Sequence, residues 1–311
     1  MPLPYAPHPL LPAHVVVLER GWLSANNTVL LGRNGAAVID TGYVRHAEQT
    51  VALVHNTLGN LPLTHIANTH LHSDHCGGNA ALQQVWPDVC TAVAPGQAHH
   101  VQPWNADALG YTACGQDCAP FGWDALLQPG STYALAGQEW EVHAAPGHDP
   151  HAVLLLEPAS SVLVSGDALW GNGFGVVFPE LEGAGAFDAV SATLDVLEAL
   201  APRAVVPGHG PVFDDVPQAL SRARRKLDRF ARHPEQHALY AAKVLLKFKL
   251  LDCQQAPLLA LTRWVTNTPY MALLHRSYFA DQTPAQWVNM LAKALETSGA
   301  AQQHGDVLHN A

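Results

Sequence analysis

The sequence predicts an α/β sandwich followed by a mostly helical region. Three observations carry this expectation. Up to about residue 212, short apolar runs are bounded by Gly, Pro, Asn and Asp. Amphipathic stretches at helical spacing stand between some of those runs, and beyond Pro211 longer helical patterns take over. With 48% apolar and only 14% charged residues, the 311-residue chain can build a full core, which excludes a disordered or coiled-coil protein.

The elements follow in order. Val15–Leu18, Thr28–Leu31, Ala36–Ile39, His65–Ala67, Val142–Ala144, Val153–Leu156, Val162–Val164 and Ala204–Val206 read as strands. His46–Leu58 reads as a helix after the Asp40-Thr41-Gly42 turn, Asn79–Val85 as one after Gly77-Gly78, and Ala186–Leu200 as a third. His99–Gly130 has no clean period and carries Trp104, Tyr111, Phe121 and Trp123 with Cys114 and Cys118. It reads as a long irregular loop. Pro217–Arg232, His237–Leu251, Gln255–Val265 and Pro284–Glu296 read as helices, and Ser298–Ala311 as a frayed tail. The expected organisation is therefore an α/β sandwich domain over 1–212 and a helical C-terminal region over 213–311, with the boundary near 212–216.

Charge divides at the same place. Residues 1–212 hold four Arg, no Lys and 18 acidic residues, a net −14, whereas 213–311 hold 12 basic and 8 acidic residues, a net +4. An acidic first region repels phosphate backbones, which argues against a nucleic-acid partner. The basic helix around Arg222, Arg224, Arg225, Lys226, Arg229 and Arg232 reads as a solvated or homodimer face, with a nucleic-acid contact as the alternative. Five cysteines are too few and odd in number for a disulfide framework, so a reducing compartment is expected. Met1-Pro2-Leu3-Pro4-Tyr5 lacks the basic start of a signal peptide, and no apolar run is long enough to span a bilayer. A cytoplasmic location with no membrane partner is the expectation.

Histidine is in excess: 19 residues, more than the 16 Lys and Arg together. It is the common metal ligand near neutral pH, so the excess directs attention to a metal site. The decisive string is Asn68-Thr69-His70-Leu71-His72-Ser73-Asp74-His75-Cys76-Gly77-Gly78, a His-x-His-x-Asp-His pattern between an apolar strand and a helix. Alternate residues of an extended chain point the same way, so His70 and His72 can grip one metal. Asp74 and His75 follow the turn and can address a second. Three further candidates each follow an apolar strand: His148 after Pro146-Gly147, Asp167 after Ser165-Gly166, and His209 after Pro207-Gly208.

This ordered set resembles the metallo-β-lactamase superfamily, over residues from about 15 to 212. The resemblance implies a four-layer αββα sandwich with two metals at one edge. Carried over by position, His70, His72 and His148 would hold the first metal, Asp74, His75 and His209 the second, and Asp167 would bridge them. Asp40, ending Ala37-Val38-Ile39-Asp40-Thr41-Gly42, matches the family's early Asp, which orients a ligand. A His/Asp donor set without thiolate suits two Zn²⁺, with Fe or Mn as alternatives. The expected chemistry is a metal-bridging hydroxide attacking a carbonyl, with Asp74 orienting the nucleophile and shuttling its proton. No serine or cysteine nucleophile is required.

A bridging Asp167 is the pattern of the glyoxalase II and lactonase-like branch rather than of antibiotic-hydrolysing members. His72 stands where di-iron oxygen reductases carry Glu. Two features depart from that branch. The Asn-Pro-Phe-containing glutathione motif is missing, and Trp170 stands where acyl-homoserine lactonases place Tyr. Lacking the phenolic hydroxyl, Trp170 is expected to lose that donor role and to form an apolar rim with Phe174 and Phe178. The expected function is hydrolysis of a small ester, thioester or lactone. The alternatives are a phosphodiesterase or RNA endonuclease on the same metals, or a mononuclear-iron persulfide dioxygenase.

Overall fold

The computed structural model describes residues 8–311, so the Pro-rich start at Met1–Tyr5 lies outside the described residues. In chain order the strands are β1 (Val15–Leu18), β2 (Asn27–Leu31), β3 (Ala36–Ile39), β4 (Leu63–Ala67), β5 (Cys90–Val93), β6 (Ala125–Leu126), β7 (Thr132–Leu135), β8 (Gln138–Ala144), β9 (Val153–Glu157), β10 (Val162–Gly166), β11 (Ala204–Pro207), β12 (Gln255–Pro257), β13 (Ala301–His304) and β14 (Val307–Asn310). The helices are α1 (Ala47–Leu58), α2 (Ser73–Cys76), α3 (Asn79–Val85), α4 (Pro95–Val101), α5 (Tyr111–Cys114), α6 (Phe178–Leu181), α7 (Phe187–Leu200), α8 (Val216–Arg232), α9 (Pro234–Cys253), α10 (Leu258–Asn267), α11 (Pro269–Tyr278) and α12 (Pro284–Thr297).

The chain forms two compact units: residues 8–109 with 117–227, and residues 110–116 with 228–311. The first unit is a sandwich of two sheets, ordered β1-β2-β3-β4-β5-β6 and β11-β10-β9-β8-β7. β3, β4, β5 and β6 run parallel, as do β10 and β11, and the remaining neighbours are antiparallel. Strand periodicity explains the core. Leu30, Ala37, Ile39 and Ala67 of the first sheet face Trp140, Val142, Val153, Leu155, Val164 and Val206 of the second. The alternate residues Val29, Val38 and Ile66 point outward and meet Val54 and Leu58 of α1 and Leu82 of α3. Both faces of the first sheet are thus buried, and its strands read as continuous apolar runs for that reason.

The second unit contains α9–α12 and a three-stranded antiparallel sheet, β12-β14-β13. Its core is built from Leu245, Leu246, Leu250, Leu261, Val265, Met271, Leu274, Trp287, Val288 and Leu291, all buried. α12 is started by a capping box: Gln286 N–H donates to Thr283 Oγ1 at 3.3 Å, and Thr283 N–H donates to Gln286 Oε1 at 2.9 Å.

Strands β5 and β7 and the short helix α6 were not among the expected elements, and four further differences have local causes. The stretch 255–265 is not one helix: Gln255–Pro257 pairs with β14, and α10 begins at Leu258. The tail is not frayed, because 301–304 and 307–310 close as a hairpin whose alternate Ala301 and Leu308 are buried. The 99–130 stretch carries two short helical turns and β6, which extends the first sheet. α11 escaped notice because its apolar residues lie in one short block, although Pro269 in its first turn is a start signal. The two units divide at 227/228, inside α8, because Arg222 and Lys226 bind backbone carbonyls at Gly171 and Phe174 of the first unit. No helix among the described residues is long and apolar enough to cross a membrane.

Candidate metal centre

The site lies where five strands of the first unit end. β3 delivers Asp40, β4 the His70–His75 segment, β8 the loop to His148, β10 Asp167 and β11 His209. Each donor sits just past a strand because the strand is fixed by the buried sandwich while its terminus is free to turn inward. The seven residues singled out as ligands come together in three overlapping groups: His70, His72 and His148; His70, His75 and Asp167; and Asp74, His75 and His209. Within each group the donor atoms all lie within 4.8 Å of one another. His70, His75, His148, Asp167 and His209 are buried, whereas Asp74 and His72 are partly exposed.

In the first group, His72 Nδ1 lies 3.1 Å from His70 Nε2 and 2.8 Å from His148 Nε2. Three imidazole nitrogens at that separation with no donor among them leave lone pairs aimed at one point, the arrangement a cation relieves. The opposite ring nitrogens are held from outside. Thr69 Oγ1 lies 3.1 Å from His70 Nδ1, the carbonyl of Val176 accepts from His148 Nδ1 at 2.5 Å, and Asp149 Oδ2 stands 3.6 Å from His72 Nε2. Burial lowers the pKa of all three histidines, well below the usual range for His70 and to about 4 for His72 and His148. They are neutral near pH 7, the form in which imidazole ligates.

The second group is charged. Asp74 Oδ2 lies 3.1 Å from His209 Nε2 and 4.0 Å from His75 Nε2. Asp167 spans the two groups: its Oδ1 is 3.3 Å from His75 Nε2 and 3.8 Å from His209 Nε2, and its Oδ2 is 3.4 Å from His148 Nε2. Burial opposes charge on His75, but Asp40, Asp167 and Asp74 outweigh it and push the imidazole well above its usual pKa. Burial also disfavours a charged Asp167, but His209, His75 and His148 hold its carboxyl well below the ordinary range, and His75 and His209 likewise lower Asp74. His75 Nε2 is buried without a hydrogen bond of acceptable geometry, although oxygen lies nearby. An orphaned imidazole nitrogen among carboxylates is the signature of a missing cation, so the residues present fit a metal at this position as well as at the first.

Asp40 holds the second group from behind. Its carboxylate accepts from Thr69 N–H at 2.9 Å and Thr69 Oγ1–H at 2.8 Å, and lies 2.8 Å from His75 Nδ1. It does this from a left-handed backbone (φ 57°), which costs a non-glycine residue about 1–3 kcal/mol and persists only where surroundings enforce it. A buried amide network fixes the loop below: Asn79 donates to Asn68 at 2.7 Å, Thr41 donates to Asn79 at 2.7 Å, and Asn68 donates to the His75 carbonyl at 3.1 Å. Two glycines permit close approach. A Cβ at Gly208 would collide with the Asp167 carboxylate, and one at Gly175 with the His148 ring.

The rim differs from the sequence expectation. Phe178 sits edge-on to His72 at 5.4 Å, as a wall residue should. Phe174 does not reach the rim: it is buried beneath Lys226, whose Nζ lies 4.8 Å from its ring. Trp170 keeps a donor role after all, since its indole N–H donates to Asp167 Oδ1 at 3.0 Å. The donor is the indole nitrogen and its acceptor is the Asp167 carboxylate, a contact the expectation of a purely apolar rim residue did not include. Sequence reasoning missed Trp22 and Asp149. Trp22 stacks on His209 at 5.1 Å while 54% exposed, and an exposed tryptophan in the β1–β2 connection was the available signal.

Comparison with known proteins agrees with this geometry. A sequence profile described as the metallo-beta-lactamase superfamily matches residues 20–209. The chain is similar to a lactamase-like protein of Aspergillus fumigatus, nscB, with 28% identity over 231 residues, covering 72% of this chain and 58% of that one. It is also similar to a thioesterase of Emericella nidulans, pkgB, with 26% identity over 241 residues, covering 74% and 60%. The chain thus spans less than two thirds of the length of these relatives. Among solved structures, a metallo-beta-lactamase family protein from Thermus thermophilus superposes with a TM-score of 0.55, covering 96% of this chain and 97% of that one at 20% identity. That likeness is one of fold.

Proposed function

The chain belongs to the metallo-beta-lactamase superfamily, and from that premise we propose that it is a dinuclear metal-dependent hydrolase acting on the carbonyl of a small ester, thioester or lactone. The observation that carries the reading is the set of three overlapping donor groups joined by His70, His75 and Asp167. His70, His72 and His148 would hold one metal, Asp74, His75 and His209 the other, and Asp167 would face both. Two divalent cations (zinc, or alternatively iron or manganese) supply Lewis acidity and bring a water's pKa toward neutrality.

The chain's own residues do the rest. Asp40 keeps the Nδ1 proton on His75 and turns Nε2 inward, and the Val176 carbonyl does the same for His148. Asp74 is ionised and 14% exposed at its side chain, so it can accept a proton in the site and pass it to solvent. Trp22, Trp170 and Phe178 present apolar faces beside these groups, which suits an acyl chain and helps exclude water. A relative named as a thioesterase supports the acyl reading. The chemistry is assigned to the first compact unit, within the expected 1–212 domain. Free thiols at all five cysteines suit the cytoplasm.

The test is a substrate panel on metal-quantified protein: lactones, acyl-thioesters, β-lactams and bis-p-nitrophenyl phosphate. Turnover of acyl-thioesters or lactones is expected. Turnover of the phosphodiester alone overturns the proposal, and so does a preparation with one iron per chain that consumes oxygen with a persulfide.

A further inference from the structure

We propose that Trp170 is a positioning residue for Asp167, and that through Asp167 it sets the affinity of the second metal position. The inference rests on the two-metal reading above. Asp167 is the carboxylate that must serve both donor groups, with Oδ1 turned to His75 and His209 and Oδ2 turned to His148. Rotation about the last bond of an aspartate is soft, so this division of labour needs an external restraint. The indole N–H of Trp170 supplies one by donating to Oδ1 at 3.0 Å. The indole N–H is a donor only. It cannot ligate the metal or take up a proton, so its single available role toward Oδ1 is to orient it, leaving that oxygen a further lone pair for a cation.

The tryptophan is itself held. Trp170 N–H donates to the Gly173 carbonyl at 2.6 Å and Gly173 N–H donates back at 3.2 Å, closing a tight turn. Two cations from α8 then bind the turn's carbonyls: Arg222 Nε donates to Gly171 at 2.7 Å and Lys226 Nζ to Phe174 at 2.7 Å. Lys226 Nζ also lies 5.8 Å from the centre of the Trp170 ring. Gly173 adopts φ 131°, a conformation strained for any other residue, and Lys226 Cδ lies where a side chain at this position would begin, so the lysine packs directly on the turn. A line of contacts therefore runs from α8 through the turn and the indole to Asp167.

The experiment is a Zn²⁺ and Co²⁺ titration of the metal-free full chain, wild type against Trp170→Phe, with the melting curve of each metal-free protein as a fold control. The first equivalent should bind within about twofold of wild type, and the second should weaken about tenfold or more, as loss of an outer hydrogen bond to a ligand does. The Co²⁺ absorption of the second equivalent should change while that of the first does not. Trp22→Leu removes the ring stacked on His209 but leaves the indole donor, and should leave the second affinity within about twofold. Should Trp170→Phe not fold, Lys226→Met loosens the same turn and should weaken the second equivalent selectively. An unchanged second affinity in the variant that folds overturns the inference, as does an equal loss in Trp22→Leu. A wild type that binds only one metal overturns both this inference and the two-metal reading beneath it.

Discussion

The two halves of the site solve opposite electrostatic problems. Around His70, His72 and His148 imidazole predominates despite Asp167 and Asp149 nearby, and burial keeps those rings neutral, two of them with pKa values near 4. Around His75 and His209 there are carboxylates, and Asp40, Asp167 and Asp74 overcome burial and hold His75 as a cation. The first half is ready for a metal at neutral pH. The second carries a proton where a metal would sit, and that proton must leave on binding. Two adjoining candidate donor groups can thus differ in proton linkage although both are built largely from histidine.

Asp167→Ala should erase the contrast most completely, because Asp167 faces both halves. Turnover on the best substrate should fall on the order of 10³-fold, with the second metal lost on dialysis, as expected when several kcal/mol of charge stabilisation disappears. Full activity in metal-quantified Asp167→Ala would sink its bridging role.

Acid titration of the metal-free protein should separate the halves by sign. His148 has a folded pKa near 4 and an unfolded one near 6.5. Between those values the unfolded chain binds more protons, so stability is lost as pH falls from about 6.5 to 4, at about 1.4 kcal/mol per pH unit for this group. His75 is raised instead, so its contribution is full below about 6.5 and is lost as pH climbs through its folded value. Urea midpoints with chelator present should show both slopes. His148→Asn should flatten the acid side only, and an acid side indifferent to that change would contradict the neutral-cluster account.

Asp40→Asn keeps a residue that tolerates the left-handed backbone but removes the charge behind His75. Second-metal affinity should drop about 10- to 100-fold with the first unchanged. Equal loss at both positions, read by metal titration, would show that Asp40 supports the loop and not the ligand. The smallest effect is the proton itself. Calorimetry in buffers of different ionisation enthalpy at pH 7 should find about one proton released with the second equivalent and almost none with the first.

Much of this candidate site was legible because its proposed ligands obey a local rule, each standing just past an apolar strand. His70, His72, Asp74, His75, His148, Asp167 and His209 could be found in one dimension, and the folded chain brings them together. What supports them was not legible. Asp149 stands behind His72, and Trp22 stacks on His209 from far away in sequence, so no spacing encodes either contact. Trp170 was visible but its contact with Asp167 was not, because the direction of an indole N–H depends on a turn held by Arg222 and Lys226 some fifty residues later. The surplus histidines were a poor guide for the same reason. His14 pairs with Glu157 at 2.7 Å and His46 meets Ser24 at 2.8 Å, both away from the metal groups. The fold divides likewise: most strands buried on both faces announced themselves, although the short β5 did not, whereas the closing hairpin at 301–310 depends on a partner strand that local composition does not name.

Helix α8 begins just past the end of the stretch that matches the family, yet its first turns grip the loop beside Asp167. For anyone recombining this chain with its relatives, the obvious splice near residue 212 is therefore the wrong one. It would exchange the clasp while keeping the part it fastens, and a crossover beyond Leu227 keeps both together.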